Sequence, residues 1–399
     1  MRIAVVNNFY PPRVGGSSHL ADSLAVGYAA RGHRVLVVTA AYRDAPTFEE
    51  RDGIQIVRLP AFQIPETRFA LSFDISFATR LSLPRRLARL LDKFDPDVIH
   101  QHGQFFDLTW ASGLYARRRK IPTLLSVHTR LENPAALYSG LLGLLDRFMV
   151  FPFLRAYRPA MVVMDRMMDG YIRRRYAGAY SSLVPIPVGI SPAAAQSGDA
   201  ARGRAEAWIE PGGPVIVSLG HVIPLRDRVA LVEALPAVLR AVPNAKVVVV
   251  GNVYYDAFRK RAAELGVAHA IRAIGAVPKA EVPDYLAMAG VECHEQGYGM
   301  GTATLEAMAA GVPVVAMATP DNFPTVPLHD GEDVYLCPPG DIGALAERLI
   351  EVLRDPAAAR AVGQRGQRLV EQHFTLDVVT EEYLAVLRQL VGPREPNGV

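Results

Sequence analysis

The sequence predicts an α/β protein made of two doubly wound, Rossmann-like domains that face a central cleft. Short runs rich in Val and Ile alternate with longer amphipathic segments along almost the whole chain. The alternation occurs twice, in stretches of similar size on either side of a small, polar segment at 198–213. The length, 399 residues, also exceeds the ~250–300 at which one core stops growing. Uninterrupted apolar strands are those of parallel sheets covered on both faces, which is what helices between them supply.

In the first half, the runs at 2–8, 34–39, 54–60, 97–103, 123–129, 160–165 and 182–186 read as buried strands. Between the first two lies a helical pattern that ends at Gly32, the residue suited to a left-handed C-terminal cap. In the second half, strands are expected at 214–220, 245–251, 270–277, 290–295, 312–318 and 333–338. The segment 198–213 reads as a linker or peripheral loop. The expected domains are 1–188 and 189–375, followed by a helix at 376–399 that packs back on the first domain.

Composition removes several classes of function. Half the residues are hydrophobic and a fifth charged, so the chain is a folded protein. A formal charge of +3 gives no footprint for nucleic acid. Only Cys293 and Cys337 are present, without His or Cys at metal-ligand spacing around them, which argues against a disulfide framework or structural zinc. The N-terminus lacks the apolar region of a signal peptide, and no uncharged apolar run reaches ~18 residues. A cytoplasmic protein is expected.

In open α/β sheets ligands bind beyond the carboxyl ends of the strands, so chemistry is sought there. After the first strand, Gly15 and Gly16 enter a helix opened by Ser17 and Ser18. Such a pair lets backbone amides approach an anion, and it equally suits a tight turn with a Ser cap. His100 and His102 close one strand and His128 another; a strand-end histidine more often serves structure than catalysis, and His128, followed by a polar loop, is the better catalytic candidate. In the second half, Gly220, His221, Arg226 and Arg228 lie between a strand and a helix. Cations there could neutralise a diphosphate, or form a solvated loop with Asp227. In "GYGMGTATLEAMAAGVPVV" (297–315), Thr302 sits where loop becomes helix and Glu306 about one turn in, within reach of sugar hydroxyls. The helix dipole alone would also favour a carboxylate at that place.

Taken in order, these segments resemble the family 4 retaining glycosyltransferases, whose architecture is GT-B. "FYPPRVGGSSHLADSLAVGYAARGHRVLVVT" is similar to that family's N-terminal Gly-Gly segment, "DPDVIHQHG" and "PTLLSVHT" to its later first-domain strands, and "GTATLEAMAAGVPVVA" to its donor signature. "LHDGEDVYLCPPGDIGALAERLIEVLRDP" is similar to the tail that follows. The resemblance spans nearly the whole chain. It implies transfer of a hexosyl group from a nucleoside diphosphate sugar with retention of configuration and without an essential metal or other cofactor. His128, Arg226 and Glu306 are then the expected catalytic residues. Donor contacts fall on Gly15, Gly16, Gly220, His221, Arg226, Arg228, Tyr298, Gly299, Met300, Gly301, Thr302 and Glu306. The chain departs from the family pattern at three places. Tyr298 stands where the first of two signature glutamates is usual, His221 where an Arg is usual, and Arg226 or Arg228 where a Lys is usual. A non-catalytic nucleotide-sugar-binding subunit and a nucleotide-sugar epimerase on the same scaffold are the alternative functions.

The acceptor is expected to be a hydroxyl of a glycan, a lipid-linked sugar or a small molecule. Basic runs at 83–93, 117–120 and 173–175 and the apolar stretch 139–154 all fall in the first half. Together they are compatible with peripheral contact with the inner face of an anionic membrane, and also with core helices bearing solvated arginines.

Overall fold

The computed structural model describes residues 1–13, 15–64, 75–79, 82–132, 136–223, 226, 228–293 and 300–392. Its contacts divide the chain into two units, one of Met1–Met164, Met168–Ile186 and Val379–Val399, the other of Asp165–Met167 and Pro187–Val378.

The first unit contains β1 (Arg2–Asn7), α1 (Gly16–Ala30), β2 (Arg34–Ala40), β3 (Phe48–Arg51), β4 (Ile54–Leu59), β5 (Phe62–Ile64) and β6 (Ile75–Phe77). There follow α2 (Leu83–Phe94), β7 (Val98–His102), α3 (Asp107–Arg119) and β8 (Thr123–Ser126). The helix α4 (Ala136–Leu145) runs through a π-helical turn, Asp146–Val150, into α5 (Phe151–Tyr157), and β9 (Ala160–Val163), α6 (Arg166–Arg175) and β10 (Ser182–Pro185) complete the run. Eight strands form one sheet in the order β10-β9-β8-β7-β1-β2-β4-β3, parallel except for the edge strand β3. The strand order reverses beside β1: the chain steps outward through β2 and β4, then returns to place β7 on the other side. That reversal is where a doubly wound sheet opens a crevice for ligand at its carboxyl edge.

The register explains the alternating "IHQH" of β7. Val5 faces His100 and Asn7 faces His102, so both imidazoles project to one face while Gln101 projects to the other. Gln101 is held there by the Thr109 carbonyl, Ser112 and Tyr157 of α3 and α5. Both sides of β7 are buried, and polar residues are tolerated because they are hydrogen-bonded.

The second unit contains α7 (Pro192–Ala195), α8 (Ala200–Glu206), β11 (Val215–Leu219), α9 (Val229–Ala241), β12 (Lys246–Val250), α10 (Asp256–Glu264), β13 (Ile271–Gly275), α11 (Val282–Ala287) and β14 (Val291–Glu292). Then come α12 (Thr302–Ala309), β15 (Val315–Met317), β16 (Tyr335–Cys337), α13 (Ile342–Arg354) and α14 (Pro356–His373), while the last helix, α15 (Leu376–Val391), belongs from Val379 onward to the first unit. Four parallel strands lie in the order β13-β12-β11-β14, and a bridge from Glu292 to Val314 leads on to the parallel pair β15-β16. Val215, Val217 and Leu219 pack toward α12 with Leu305 and Met308, whereas Ile216 packs toward α9 and α13 with Leu231, Leu235 and Leu349. One strand therefore feeds two cores, as the continuous apolar run requires.

The expected strands appear within one or two residues at most boundaries, β14 being shorter than the run 290–295 and β15 than 312–318. The structure adds β3, β5 and β6. It also corrects 198–213, which is not simply linker. Asp199 caps α8 by accepting from the amides of Ala201 and Arg202, and the Asp284 carboxylate in turn accepts from the Asp199 amide and the Arg202 guanidinium. Gly198 and Gly203 let α8 lie directly on the backbone of α11, where a Cβ would come within 1.9 and 2.3 Å of carbonyl oxygens.

Candidate functional site

In the second unit the strand order reverses beside β11, between β12 and β14. Gly220 and His221 leave β11 there. Gly220 has φ +102°, and a Cβ on Gly251 at the end of β12 would sit 2.3 Å from the Gly220 carbonyl oxygen. Glycine at 251 thus lets the two loops touch. A cavity of about 390 Å³ opens where β12 and β13 end, lined by Gly251, Asn252, Tyr254, Arg259 and Gly275 among others. His221 Nδ1 accepts the Asn252 amide at 3.0 Å and its ring meets Tyr254 edge-on at 5.6 Å. Burial, then the charge of Arg226, lowers the His221 pKa below its ordinary value. A neutral His221 with Nδ1 accepting carries its proton on Nε2, a single donor where the related pattern has a guanidinium.

The two arginines of this loop separate sharply. Arg226 is exposed, with its backbone paired to Ile223. Arg228 is fully buried: Nε donates to Ser218 Oγ at 2.9 Å and a terminal nitrogen to the Leu219 carbonyl at 2.9 Å. It stands at φ +57° just before α9 and ties the loop to the end of β11. The expectation of two cations at a loop surface is corrected to one, because Arg228 is occupied by its own strand.

Beyond β14, Tyr298 and Gly299 lie outside the described residues. The Met300 amide is held by Asn322 Oδ1 at 3.1 Å. Gly301 precedes α12 without a side-chain cap, and Thr302 at the first helical position is exposed. Amides of an uncapped first turn are ready donors for phosphate oxygens. Glu306 is mostly buried and pairs with Lys279 Nζ at 3.4 Å. No sequence pattern signalled this pair, since Lys279 belongs to a separate 3₁₀ turn, and none signalled Asn252 and Tyr254 beyond their position after a strand-end glycine.

In the first unit, Gly15 caps α1 without a side-chain hydrogen bond, and a Cβ at Gly15 or Gly16 would meet nothing within 4 Å. These glycines thus border open space. The approach loop is fixed: Asn8 donates to Asp107 at 2.7 Å, the Arg13 guanidinium stacks 3.9 Å from the Phe9 ring centre, and Ser18 donates to the Arg13 carbonyl. Across the reversal, His102 Nδ1 lies 2.9 Å from His128 Nε2 with the rings nearly coplanar in tilt, at 7°. His100 bonds Tyr28 through Nδ1 at 3.1 Å and Ser126 through Nε2 at 3.0 Å, and Ser126 continues to Tyr383. Burial lowers His128 to about 4 and His100 to about 3, and drives His102 well below its usual range. All three are neutral near pH 7. His102 Nε2 is buried without a hydrogen-bond partner among the described residues. A bare ring nitrogen tolerates that better than an orphaned N–H, so the favoured tautomer has His102 donating from Nδ1. His128 is then left with a donor N–H on Nδ1.

The structure thus joins His128 to His102, His221 to Asn252, Met300 to Asn322 and Glu306 to Lys279. The Asp95-Pro96-Asp97 stretch sits at the opposite, amino-terminal edge of the first sheet, where both carboxylates bind Arg2. Among the described residues no cluster of three or more His, Cys, Asp or Glu side chains is placed to hold a metal ion.

Residues 15–189 match the family described as glycosyl transferase 4-like domain, and residues 202–369 match glycosyl transferases group 1. The chain belongs to the family 4 glycosyltransferases, with the GT-B fold. This glycosyltransferase is 27% identical over 390 residues to a GDP-mannose-dependent alpha-(1-6)-phosphatidylinositol monomannoside mannosyltransferase of Mycolicibacterium smegmatis, covering 94% of this chain and 93% of that one. It is also 27% identical to the phosphatidyl-myo-inositol mannosyltransferase of Mycobacterium leprae, across 97% and 96% of the two chains. Among solved structures, sucrose-phosphate synthase of Thermosynechococcus elongatus superposes with a TM-score of 0.69 at 20% identity, covering 98% of both chains. Anabaena HepE in complex with UDP-glucose gives 0.72 at 16%, covering 97% and 99%.

Proposed function

We propose that this glycosyltransferase moves a hexosyl group, mannosyl from GDP-mannose being the first donor to test, to a hydroxyl of a lipid-linked acceptor, with retention of configuration and without an essential metal. The observation that carries the donor side is the frame around the second strand-order reversal. The uncapped N-terminus of α12, the exposed Arg226 and the His221 Nε2–H converge in topology on the carboxyl ends of β11 and β14. The names of the curated relatives support mannosyl transfer to a phosphatidylinositol-based lipid. A glycan or small-molecule hydroxyl is the broader class.

In this reading the first-turn amides at Gly301 and Thr302, with Arg226, take up the charge that develops on the departing diphosphate. Each well-aimed donor supplies about 3–4 kcal/mol to the transition state. Arg228 acts from beneath, fixing the loop that carries Arg226. Glu306, steadied by Lys279, accepts hydrogen bonds from sugar hydroxyls. Gly15 and Gly16 leave room for donor phosphate against backbone, and the cavity beside Tyr254 receives the nucleobase. His128 donates from Nδ1 to a hydroxyl of the sugar or acceptor. The acceptor oxygen forms its bond to the anomeric carbon on the face from which diphosphate leaves, and its proton passes to the diphosphate.

The test is transfer from a panel of GDP-, UDP-, ADP- and TDP-sugars to a phosphatidylinositol-type acceptor, with the anomeric configuration of the product read by NMR. An α-linked product from an α-donor is expected. His128→Ala and Glu306→Ala should each lower turnover at least tenfold with unchanged far-UV circular dichroism. Wild-type rates in both variants, or inverted product, would overturn the assignment.

A further inference from the structure

The described residues of the first unit include one helical segment long and apolar enough to cross a membrane, 22 residues from Ala136 to Tyr157. Its placement gives it a different use. Leu137, Leu141, Leu144 and Phe148 are 82%, 55%, 55% and 69% exposed. Their spacing of four, three and four residues puts them on one helical face. No side chain of α4 is buried. The apolar stripe therefore points away from the domain it belongs to.

The far end of the segment is fastened down. Asp146, buried at the π turn, accepts hydrogen bonds from Tyr176 at 2.6 Å and Tyr171 at 3.0 Å. Val150 and Leu154 are fully buried, and Trp110 of α3 stacks on Phe153 with ring centres 4.9 Å apart. With α5 held in this way, crossing a bilayer would require tearing out a packed half. A helix whose second half is anchored and whose first half shows a free apolar stripe is built to lie in a surface.

Charge indicates which surface. Arg147 is exposed beside Phe148, Arg155 is exposed beyond the π turn, and the Arg175 guanidinium lies against Gly143, 3.1 Å from where a Cβ would be. Nearby acids are already engaged: Asp146 is buried, Asp169 pairs with Arg173, and Glu132 pairs with Arg130. From Ala136 to Leu145 the chain carries no charged residue. We infer that the α4 stripe, with its rim of Arg147, Arg155 and Arg175, seats this unit on an anionic lipid bilayer. The basic helix α2 contributes no apolar face, because Leu83, Leu87, Leu91 and Phe94 are buried in the core. The inference stands on the helix itself and does not need the donor assignment to hold.

The experiment is co-sedimentation of the full chain with phosphatidylcholine vesicles, with and without about one third phosphatidylglycerol, at low and high salt. The wild type should pellet with the anionic vesicles at least tenfold better than with neutral ones, less so at high salt. Combined Leu141→Glu, Leu144→Glu and Phe148→Glu should reduce pelleting at least tenfold, and Arg147→Glu with Arg175→Glu should remove the anionic preference. Absence of pelleting at low salt, or equal pelleting by the triple variant, overturns the inference. So does a wild-type dimer in light scattering that the triple variant converts to monomer, since a second copy would then cover the stripe. Thermal shift by GDP-mannose, measured alongside, reports on the donor reading separately.

Discussion

The buried imidazoles of the first unit tie individual protonation states to stability. Folding places His100 and His128 at about 3 and 4, below the ~6.5 of a free histidine, because burial disfavours the cation. Between those values and 6.5 the unfolded chain binds more protons than the folded one, so stability is complete above about pH 6.5 and is lost as pH falls toward 4. Each such group contributes up to ~1.4 kcal/mol per pH unit in that window. The melting temperature should be level from pH 8 to 7 and decline from 6.5 to 4.5, and His100→Asn should shallow the decline. Equal slopes for wild type and variant over that range would exclude His100 as a source. At this scale the sequence was only partly legible. The positions of His100, His102 and His128 at strand ends could be read, and so could Glu306 near the start of a helix. Their partners could not, because Tyr28 with His100, Tyr383 with Ser126, and Lys279 with Glu306 are brought together by tertiary packing that no local pattern records. Arg228 was misread as a surface cation for the same reason: its acceptors, Ser218 and the Leu219 carbonyl, become available only once β11 ends beneath it.

Elements were legible where burial is two-sided. Strands β1, β2, β11 and β12 have continuous apolar or β-branched runs that admit few other readings. The edge strand β3, "FEER", has no such signature because one side faces water, and β5 and β6 are three residues each. The helix α8 was hidden by Gly and Ala and by its place before a Pro-Gly-Gly stretch. The last helix makes a sharper test of element packing. Val379, Tyr383, Leu384 and Leu387 of α15 are fully buried, Arg31 pairs with Glu381, and Gly27 of α1 accepts the Thr380 side chain where a Cβ would lie 2.8 Å from its methyl. A larger residue at 27 gains helix propensity of up to ~1 kcal/mol over glycine but must displace a short, well-packed side chain. Gly27→Leu should therefore destabilise by about 1–3 kcal/mol in urea unfolding, and Thr380→Gly should recover part of that loss in the double variant. Strict additivity of the two substitutions would mean that α1 and α15 are not coupled at this point.

For the whole molecule, the governing question is what balances the charge of a departing diphosphate. The chain carries a formal charge of only +3, so no broad positive field can do it, and the balance has to come from placed groups. The Asp-x-Asp pair Asp95 and Asp97 is bound to Arg2 at the amino-terminal edge of its sheet, while the loops that carry the candidate site residues leave the carboxyl edge. The groups at the carboxyl edge of the second sheet are instead donors: the exposed Arg226, the amides that open α12, and His221 kept neutral by burial and by the neighbouring guanidinium. Backbone amides and an arginine lose nothing to a chelator. Transfer rates should consequently agree within about twofold with excess EDTA and with added Mg²⁺ or Mn²⁺, whereas Arg226→Ala should lower kcat by about 10²–10³, the usual consequence of removing one electrostatic donor. Arg228→Ala should behave differently, reducing thermal stability as well as rate, because it leaves Ser218 and the Leu219 carbonyl unpaired in the interior. Loss of activity on chelation that returns with a divalent ion, together with a near-normal Arg226→Ala enzyme, would shift the charge-balancing role from protein donors to a metal.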